Sequence, residues 1–289
     1  MRKGLALVGA GAAVGAYSLW ERRAYRLVEH DVPVDATVPS LSILHVSDTH
    51  LTAREGKLIS WLRGLPDRLG RVPDLVLATG DLIEDDTGIE PLVDALSGLE
   101  ARLGRFYVLG SHDYYQAKFQ PYTKYFARES RDISAPPADT ELMEDGLVAN
   151  GWEPLINAAA RLETDGGVLL LAGVDDPYLG RHTTQHIRRD EDVVLAIGLV
   201  HAPNVVSEWA LNRFDLVVAG HTHGGQVRIP GVGALVTNCK LPTGLAMGLN
   251  RVGACWIHVS PGLGTSSYSP IRFNCFPEAT LLNLVPRLP

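Results

Sequence analysis

The sequence predicts an α/β fold: a largely parallel sheet covered by helices, followed by a second sheet. Three observations carry this expectation. Apolar runs at 41–47, 74–79 and 105–109 read as buried strands and alternate with segments of helical spacing. Each run ends in Asp or His, at the carboxyl ends where such sheets bind ligands. From Gln226 onward, short apolar runs broken by Gly and Pro read as strands of the second sheet.

The chain has 289 residues, enough for one large domain or two small ones with a sizeable core. Charged residues are 20% and apolar residues 46%, ordinary for a globular protein. A formal net charge of −7 gives no electrostatic reason to expect a nucleic-acid partner. Cys239, Cys255 and Cys275 are widely spaced and odd in number. They read as buried small hydrophobes, not a disulfide framework.

Arg2 and Lys3 precede an apolar run over 4–20, and Glu21, Arg22 and Arg23 follow it. The run is just long enough to span a bilayer, so residues 1–23 are expected to form a signal-anchor helix, a single-pass attachment to the cell membrane. A cleaved signal peptide and a packed helix are the alternatives. Basic residues at both ends leave the orientation open. Residues 24–40, with Pro33 and Pro39, read as a linker into a main domain over 41–289.

Within that domain the strand at 41–47 runs into Asp48-Thr49-His50. Leu58, Ile59, Leu62, Leu65 and Leu69 then recur at helical spacing, disturbed by Pro66. The strand at 74–79 ends in Gly80-Asp81, and a helix is expected over about 89–102. The strand at 105–109 ends in Gly110-Ser111-His112-Asp113. Residues 114–151 are irregular apart from a short helix at about 140–149. They read as a cap-like insertion over the strand ends, or equally as a surface excursion. Its aromatic residues, Tyr114, Tyr115, Tyr122, Tyr125 and Phe126, grip a lipid or sugar or form the insertion's own small core.

Strands resume at 161–164 and 168–174, joined by the turn Asp165-Gly166-Gly167. The buried strand at 193–200 ends in His201, and a helix over about 205–211 follows. The strand at 216–219 leads to Gly220-His221-Thr222-His223-Gly224-Gly225, which puts two imidazoles on alternate residues.

Together these ends supply Asp48, His50, Asp81, His112, Asp113, His201, His221 and His223. Taken singly, each has an ordinary reading: Asp48 and Asp81 as helix caps, His50 and His201 as bonded core histidines. Taken together, carboxylates and imidazoles suit Mn, Fe, Zn or similar divalent ions better than calcium. Asp81 is the natural bridge between two of them. Such a pair clamps the attacking and leaving oxygens of an in-line phosphoryl displacement, and lowers the pKa of bound water. His45 and His258 lie inside strands and read as core packing, while His182 and His186 read as solvated.

The ordered series Asp48-x-His50, Gly80-Asp81, Gly110-x-His112-Asp113, His201 and Gly220-His221-x-His223 resembles the calcineurin-like metallophosphoesterase superfamily. The resemblance covers nearly all of the chain after residue 40. It implies a four-layer αββα sandwich of two mixed sheets and a site for two divalent ions. It implies that Asp48, His50, Asp81 and His223 hold one ion, and that Asp81, His201 and His221 hold the other. His112 would then be the general acid, oriented by Asp113. Gly224-Gly225-Gln226, the N-terminal segment, Ser260-Pro-Gly-Leu-Gly264 and Pro270-Ile-Arg272 resemble the membrane-associated bacterial subgroup. Some of its members cleave lipid-linked or nucleotide-sugar phosphodiesters.

One position departs from the pattern. Ser111 stands where the family usually has Asn as a ligand of the second ion. Either Ser111 binds through water, or the loop shifts and His112 becomes the ligand, so weak loading of the second site is expected. The expected function is a metal-dependent phosphohydrolase acting on a small-molecule or lipid-linked phosphodiester or pyrophosphate. The alternative is a catalytically impaired metal-binding regulatory or scaffold module at the membrane.

Overall fold

The computed structural model describes residues 2–35, 38–119, 134–185, 187–237, 239 and 241–286. Two six-stranded sheets lie face to face. The first has the order β1 (Arg26–Val34), β14 (Glu278–Pro286), β2 (Leu41–Val46), β3 (Leu75–Thr79), β4 (Gly104–Val108), β5 (Glu153–Pro154). The second has the order β12 (Gly248–Val252), β13 (Cys255–Val259), β9 (Leu216–Ala219), β8 (Val193–Val200), β7 (Gly167–Gly173), β6 (Ala158–Thr164). The strands β2, β3, β4 and β5 run parallel, as do β7, β8, β9 and β13. A short hairpin, β10 (Arg228–Ile229) with β11 (Gly233–Ala234), stands apart.

The inner strands are buried along their whole length, which is why they read as unbroken apolar runs. One apolar layer lies between the sheets, built from Ile43, Leu75, Leu77, Leu195, Ile197 and Leu282 among others. A second lies between the first sheet and the helices α2 (Gly56–Arg63), α4 (Ile89–Ser97) and α6 (Thr140–Ala149). A third packs Trp209 of α7 (Val206–Leu211) onto the outer face of the second sheet.

Several expectations are corrected here. The helical stretch after residue 54 is two helices, because the chain breaks at Gly64 and restarts as α3 (Leu65–Leu69) with Pro66 in its first turn. Residues 24–40 are not simply a linker. Most of them form β1, paired in parallel with β14, and an edge strand tolerates Pro33 because one side of it needs no ladder donor. The segment after Gln226 does not belong to the second sheet alone, since β14 returns to the first sheet antiparallel to β2. Hydrophobic periodicity marks a buried strand but not the sheet it joins. The α6 helix lies where a helix was expected in the insertion. Residues 120–133, with Tyr122, Tyr125 and Phe126, lie outside the described residues, as does His186.

The N-terminal segment forms α1 (Arg2–Glu21), but no described helix is long and apolar enough to cross a membrane. The expected single-pass span is therefore not supported. The run is rich in Gly and Ala, and its last turn is docked on the protein. Glu21 is buried, and its carboxylate accepts the backbone N–H of Asn274 at 2.9 Å and that of Cys275. Tyr17 packs edge-on against Phe273, and Trp20 against Phe276.

Removing the Glu21 carboxylate leaves two amides without their partner, a loss of about 1–3 kcal/mol. Glu21→Ala is expected to lower the denaturant midpoint and to raise amide exchange across α1. Unchanged exchange would show that the helix is not held by this contact.

Candidate metal centre

The parallel strands deliver their carboxyl ends to one edge of the two sheets. Asp48 and His50 follow β2, Asp81 follows β3, His112 lies in the single-turn helix α5 (Ser111–Tyr114) after β4, His201 follows β8, and His221 and His223 follow β9. Backbone pairing continues past the strands: Asp48 N–H donates to Gly80 O, His50 N–H to Asp81 O and Gly220 N–H to His201 O, each at 3.0 Å. Asp48, His50, Asp81, His221 and His223 all have positive φ, between 43° and 69°. L-residues pay about 1–2 kcal/mol each for such backbone. The turns that this conformation makes bring the side chains inward. Gly220 is required beside them, because a Cβ there would overlap Ser47 Oγ and the Asp48 carboxylate.

Three groups overlap. Ligand atoms of Asp48, His50 and His223 lie within 4.8 Å of one another, as do those of His50, Asp81 and His112, and those of Asp48, Asp81 and His201. Asp48, Asp81 and His201 are buried. Asp81 Oδ2 stands 3.7 Å from His50 Nε2 and 3.3 Å from His201 Nε2, and its Oδ1 accepts the His112 N–H at 2.8 Å. Asp48 Oδ1 stands 3.5 Å from His223 Nε2. His221 turns its Nδ1 to 3.3 Å from His201 Nε2, and its N–H donates to Asp48.

The tautomers fit a metal site. His50 Nδ1 lies 2.7 Å from Glu84 Oε2, and a carboxylate only accepts, so Nδ1 carries the proton. His201 Nδ1 lies 2.7 Å from the Thr79 carbonyl, with the same consequence. Both rings therefore present Nε2 to Asp81. His50 Nε2 and His223 Nε2 are only 3.1 Å apart, a spacing suited to a shared cation. Outer partners of this kind orient imidazole ligands and raise their basicity.

Charge coupling is strong. Burial penalises the His50 cation, yet the Glu84 bond and the nearby aspartates outweigh it and raise its pKa to about 9. Burial also opposes the charged form of His201, which Asp81 nonetheless holds protonated well above the usual range. Burial works against the Asp81 anion, but His201 and His112 keep its pKa well below normal. Burial, with His50 and Arg272 nearby, pushes His223 well below its usual value.

Asp113 is placed differently from the expectation. Its carboxylate accepts the backbone N–H groups of Leu82, Ile83 and Gly110 at 2.7, 3.2 and 2.8 Å. It fixes the loop rather than the His112 ring. His112 Nδ1 has no hydrogen-bond partner among the described residues and lies 3.5 Å from Glu84 Oε2. His112 belongs instead to the group with His50 and Asp81.

Two residues were not read as functional in the sequence. Glu84 holds His50 and also accepts the Ser266 hydroxyl at 2.8 Å and the Ser267 N–H at 2.5 Å. Arg272 is fully buried and donates through Nη2 to the carbonyls of Pro261, Gly262 and Gly264. That pins the loop whose Leu263 and Gly264 N–H groups donate to Ser47 O and Asp48 O. The only sequence signal for Glu84 was its place three residues after Asp81.

The profile of the calcineurin-like phosphoesterase family matches residues 41–225, and the chain belongs to that family. It is a hydrolase acting on phosphoester bonds, and metal dependence comes with the family. The chain is 28% identical over 219 residues to the uncharacterized metallophosphoesterase YkuE of Bacillus subtilis, covering 73% of this chain and 68% of that protein. It is 29% identical over 218 residues to the phosphodiesterase YaeI of Escherichia coli, covering 74% and 71%. It is 27% identical over 281 residues to a transmembrane protein with metallophosphoesterase domain of Danio rerio, covering 90% of this chain and 57% of that one.

Because His50 holds a proton up to about pH 9 in the metal-free chain, an incoming ion must displace it. Metal affinity is expected to rise with pH towards about 9 and to fall on acidification. The change is about tenfold per pH unit for each proton displaced. Calorimetry in buffers of different ionisation enthalpy counts those protons; a count of zero would contradict the assignment.

Proposed function

We propose that this calcineurin-like phosphoesterase hydrolyses a phosphodiester or pyrophosphate at a site for two divalent ions, each of the Mn, Fe or Zn kind. The supporting observation is the overlap of the Asp48–His50–His223 and Asp48–Asp81–His201 groups at Asp48, with Asp81 also 3.7 Å from His50. Separate groups with common carboxylates suit a pair of ions better than one. When bound, such ions neutralise phosphoryl charge and supply hydroxide near neutral pH.

The residues then divide the work. Asp48, His50, Asp81, His201, His221 and His223 are the ligands, with Asp81 between the two positions. Glu84 and the Thr79 carbonyl fix the His50 and His201 tautomers. His112, beside His50 and Asp81, gives its proton to the leaving oxygen in this reading. Asp113 holds the loop that carries it. Ser111 leaves the second position weakly loaded. The preference for a diester follows the name of the E. coli relative.

The substrate is borne on a membrane in this reading. Val14, Leu19 and Trp20 of α1 are exposed apolar residues. Arg23, Lys57 and Arg68 line an adjoining groove with Tyr25 and Trp61. Tyr25 and Arg22 also border the small cavity that reaches His50. An apolar face with a basic flank is the chemistry of interfacial attachment to anionic lipid, and the Danio rerio relative is named a transmembrane protein.

Hydrolysis of a chromogenic diester, with its monoester beside it, tests the reaction after chelation and return of manganese. Metal should restore turnover, and the diester should be preferred. Asp81→Asn should lose more than the ~10–100-fold expected of Glu84→Gln, whose residue only orients a ligand. A folded, metal-loaded chain without turnover would favour the regulatory module instead. Sedimentation with vesicles tests attachment: binding to anionic vesicles should weaken severalfold in Trp20→Ser, and equal recovery with and without lipid would overturn it.

A further inference from the structure

A second cluster of ligating side chains lies between the sheets, away from the strand-end centre. His30 of β1, His258 of β13 and Glu278 of β14 each place one ligand atom within 4.8 Å of the others. His258 is fully buried and Glu278 nearly so, whereas His30, on the outermost strand, is half-buried and opens the cluster to solvent.

A chain of hydrogen bonds fixes which nitrogen of His258 is bare. Ser47 Oγ donates to Asp48 Oδ2 at 2.5 Å, and Thr79 Oγ1 donates to Ser47 Oγ at 2.7 Å. The Thr79 proton is thus used, so Thr79 Oγ1 accepts from His45 Nε2 at 2.8 Å. Burial keeps His45 neutral, with its pKa lowered to about 3. Its Nδ1 is therefore an acceptor, and the 2.9 Å contact to His258 Nδ1 requires His258 to donate. Burial, with His45 and His30 nearby, keeps His258 neutral as well. Its Nε2 is left as a buried lone pair, without a hydrogen-bond partner among the described residues. Burying such an atom unpaired is unfavourable, and an electron-pair acceptor relieves it.

We infer that His30, His258 and Glu278 form an additional site for a borderline divalent cation such as zinc or cobalt, with His45 setting the His258 tautomer. Two imidazoles and one carboxylate suit such ions and leave a fourth position for water. The ion ties the edge strand β1 and β14 of one sheet to β13 of the other. This role is separate from the phosphoesterase reaction.

The test uses the full chain, stripped with chelator, loaded with cobalt and freed of excess by dialysis. Metal content and the visible cobalt absorption are compared among wild type, His30→Asn and Glu278→Gln. Each variant should hold one ion fewer, lose a tetrahedral cobalt band and gain less thermal stability from cobalt. Diester turnover should stay within twofold of wild type. His30 is half-exposed, so His30→Asn keeps the test decisive should Glu278→Gln unfold. Equal metal content in wild type and His30→Asn would overturn the inference. Loss of the ion together with turnover would also overturn it, since the ion would then belong to the Asp48 and Asp81 centre.

Discussion

The structure depends on holding Asp48 and Asp81 close together out of water. Two buried carboxylates repel each other and lose hydration, so the pair is tolerable only beside cations. In the metal-free chain the protonated imidazoles of His201 and His50 fill that role, and they hold Asp81 ionised despite burial. In the proposed metal-bound state, an ion would replace those protons with stronger charge. The left-handed backbone at Asp48, His50, Asp81, His221 and His223 belongs to the same arrangement. Strained backbone of this kind persists where the surroundings over-determine it.

That over-determination is visible around the site. The Gly80 carbonyl receives the Asp48 amide, Arg272 pins the 261–264 loop beneath Asp48, and Asp113 ties the amides of Leu82, Ile83 and Gly110 together. Burial pushes Asp113 up to about 7, with Asp81 nearby adding to the shift. A group in that position serves backbone geometry rather than orientation of the His112 ring. Glu84 differs: burial opposes its charge, but the His50 bond and the His50 charge bring it down to about 2, so it stays anionic and keeps His50 in one tautomer.

The strand-end Asp and His residues were legible as a group in the sequence because each follows an unbroken apolar run, and such runs are forced by burial on both faces of an inner strand. Asp48, His50, Asp81, His201 and His223 converge for that reason. Glu84 was not legible, since it sits past the strand end, where no period applies and only the fold brings it under His50. Arg272 was visible as part of a motif but not as a clamp, because its partners are backbone carbonyls, which every residue has. The sheet assignments of β1 and β14 were not legible either. Pro33 and Pro39 gave residues 24–40 the composition of a linker, and the pairing with β14 spans nearly the whole chain.

His45 and His258 show how a core reading can be right about burial and incomplete about chemistry. Both lie inside strands and both are fully buried, as packing residues are. Yet an imidazole differs from a leucine of similar size because it has two nitrogens to satisfy. The Asp48 carboxylate can only accept, and this sets the direction of every bond through Ser47, Thr79 and His45 to His258. Reversing any one of them would put two donors or two lone pairs face to face. The strand-end centre and the inter-sheet cluster therefore share one hydrogen-bond polarity. The unpaired nitrogen of His258 is the point where that polarity ends without a partner among the described residues.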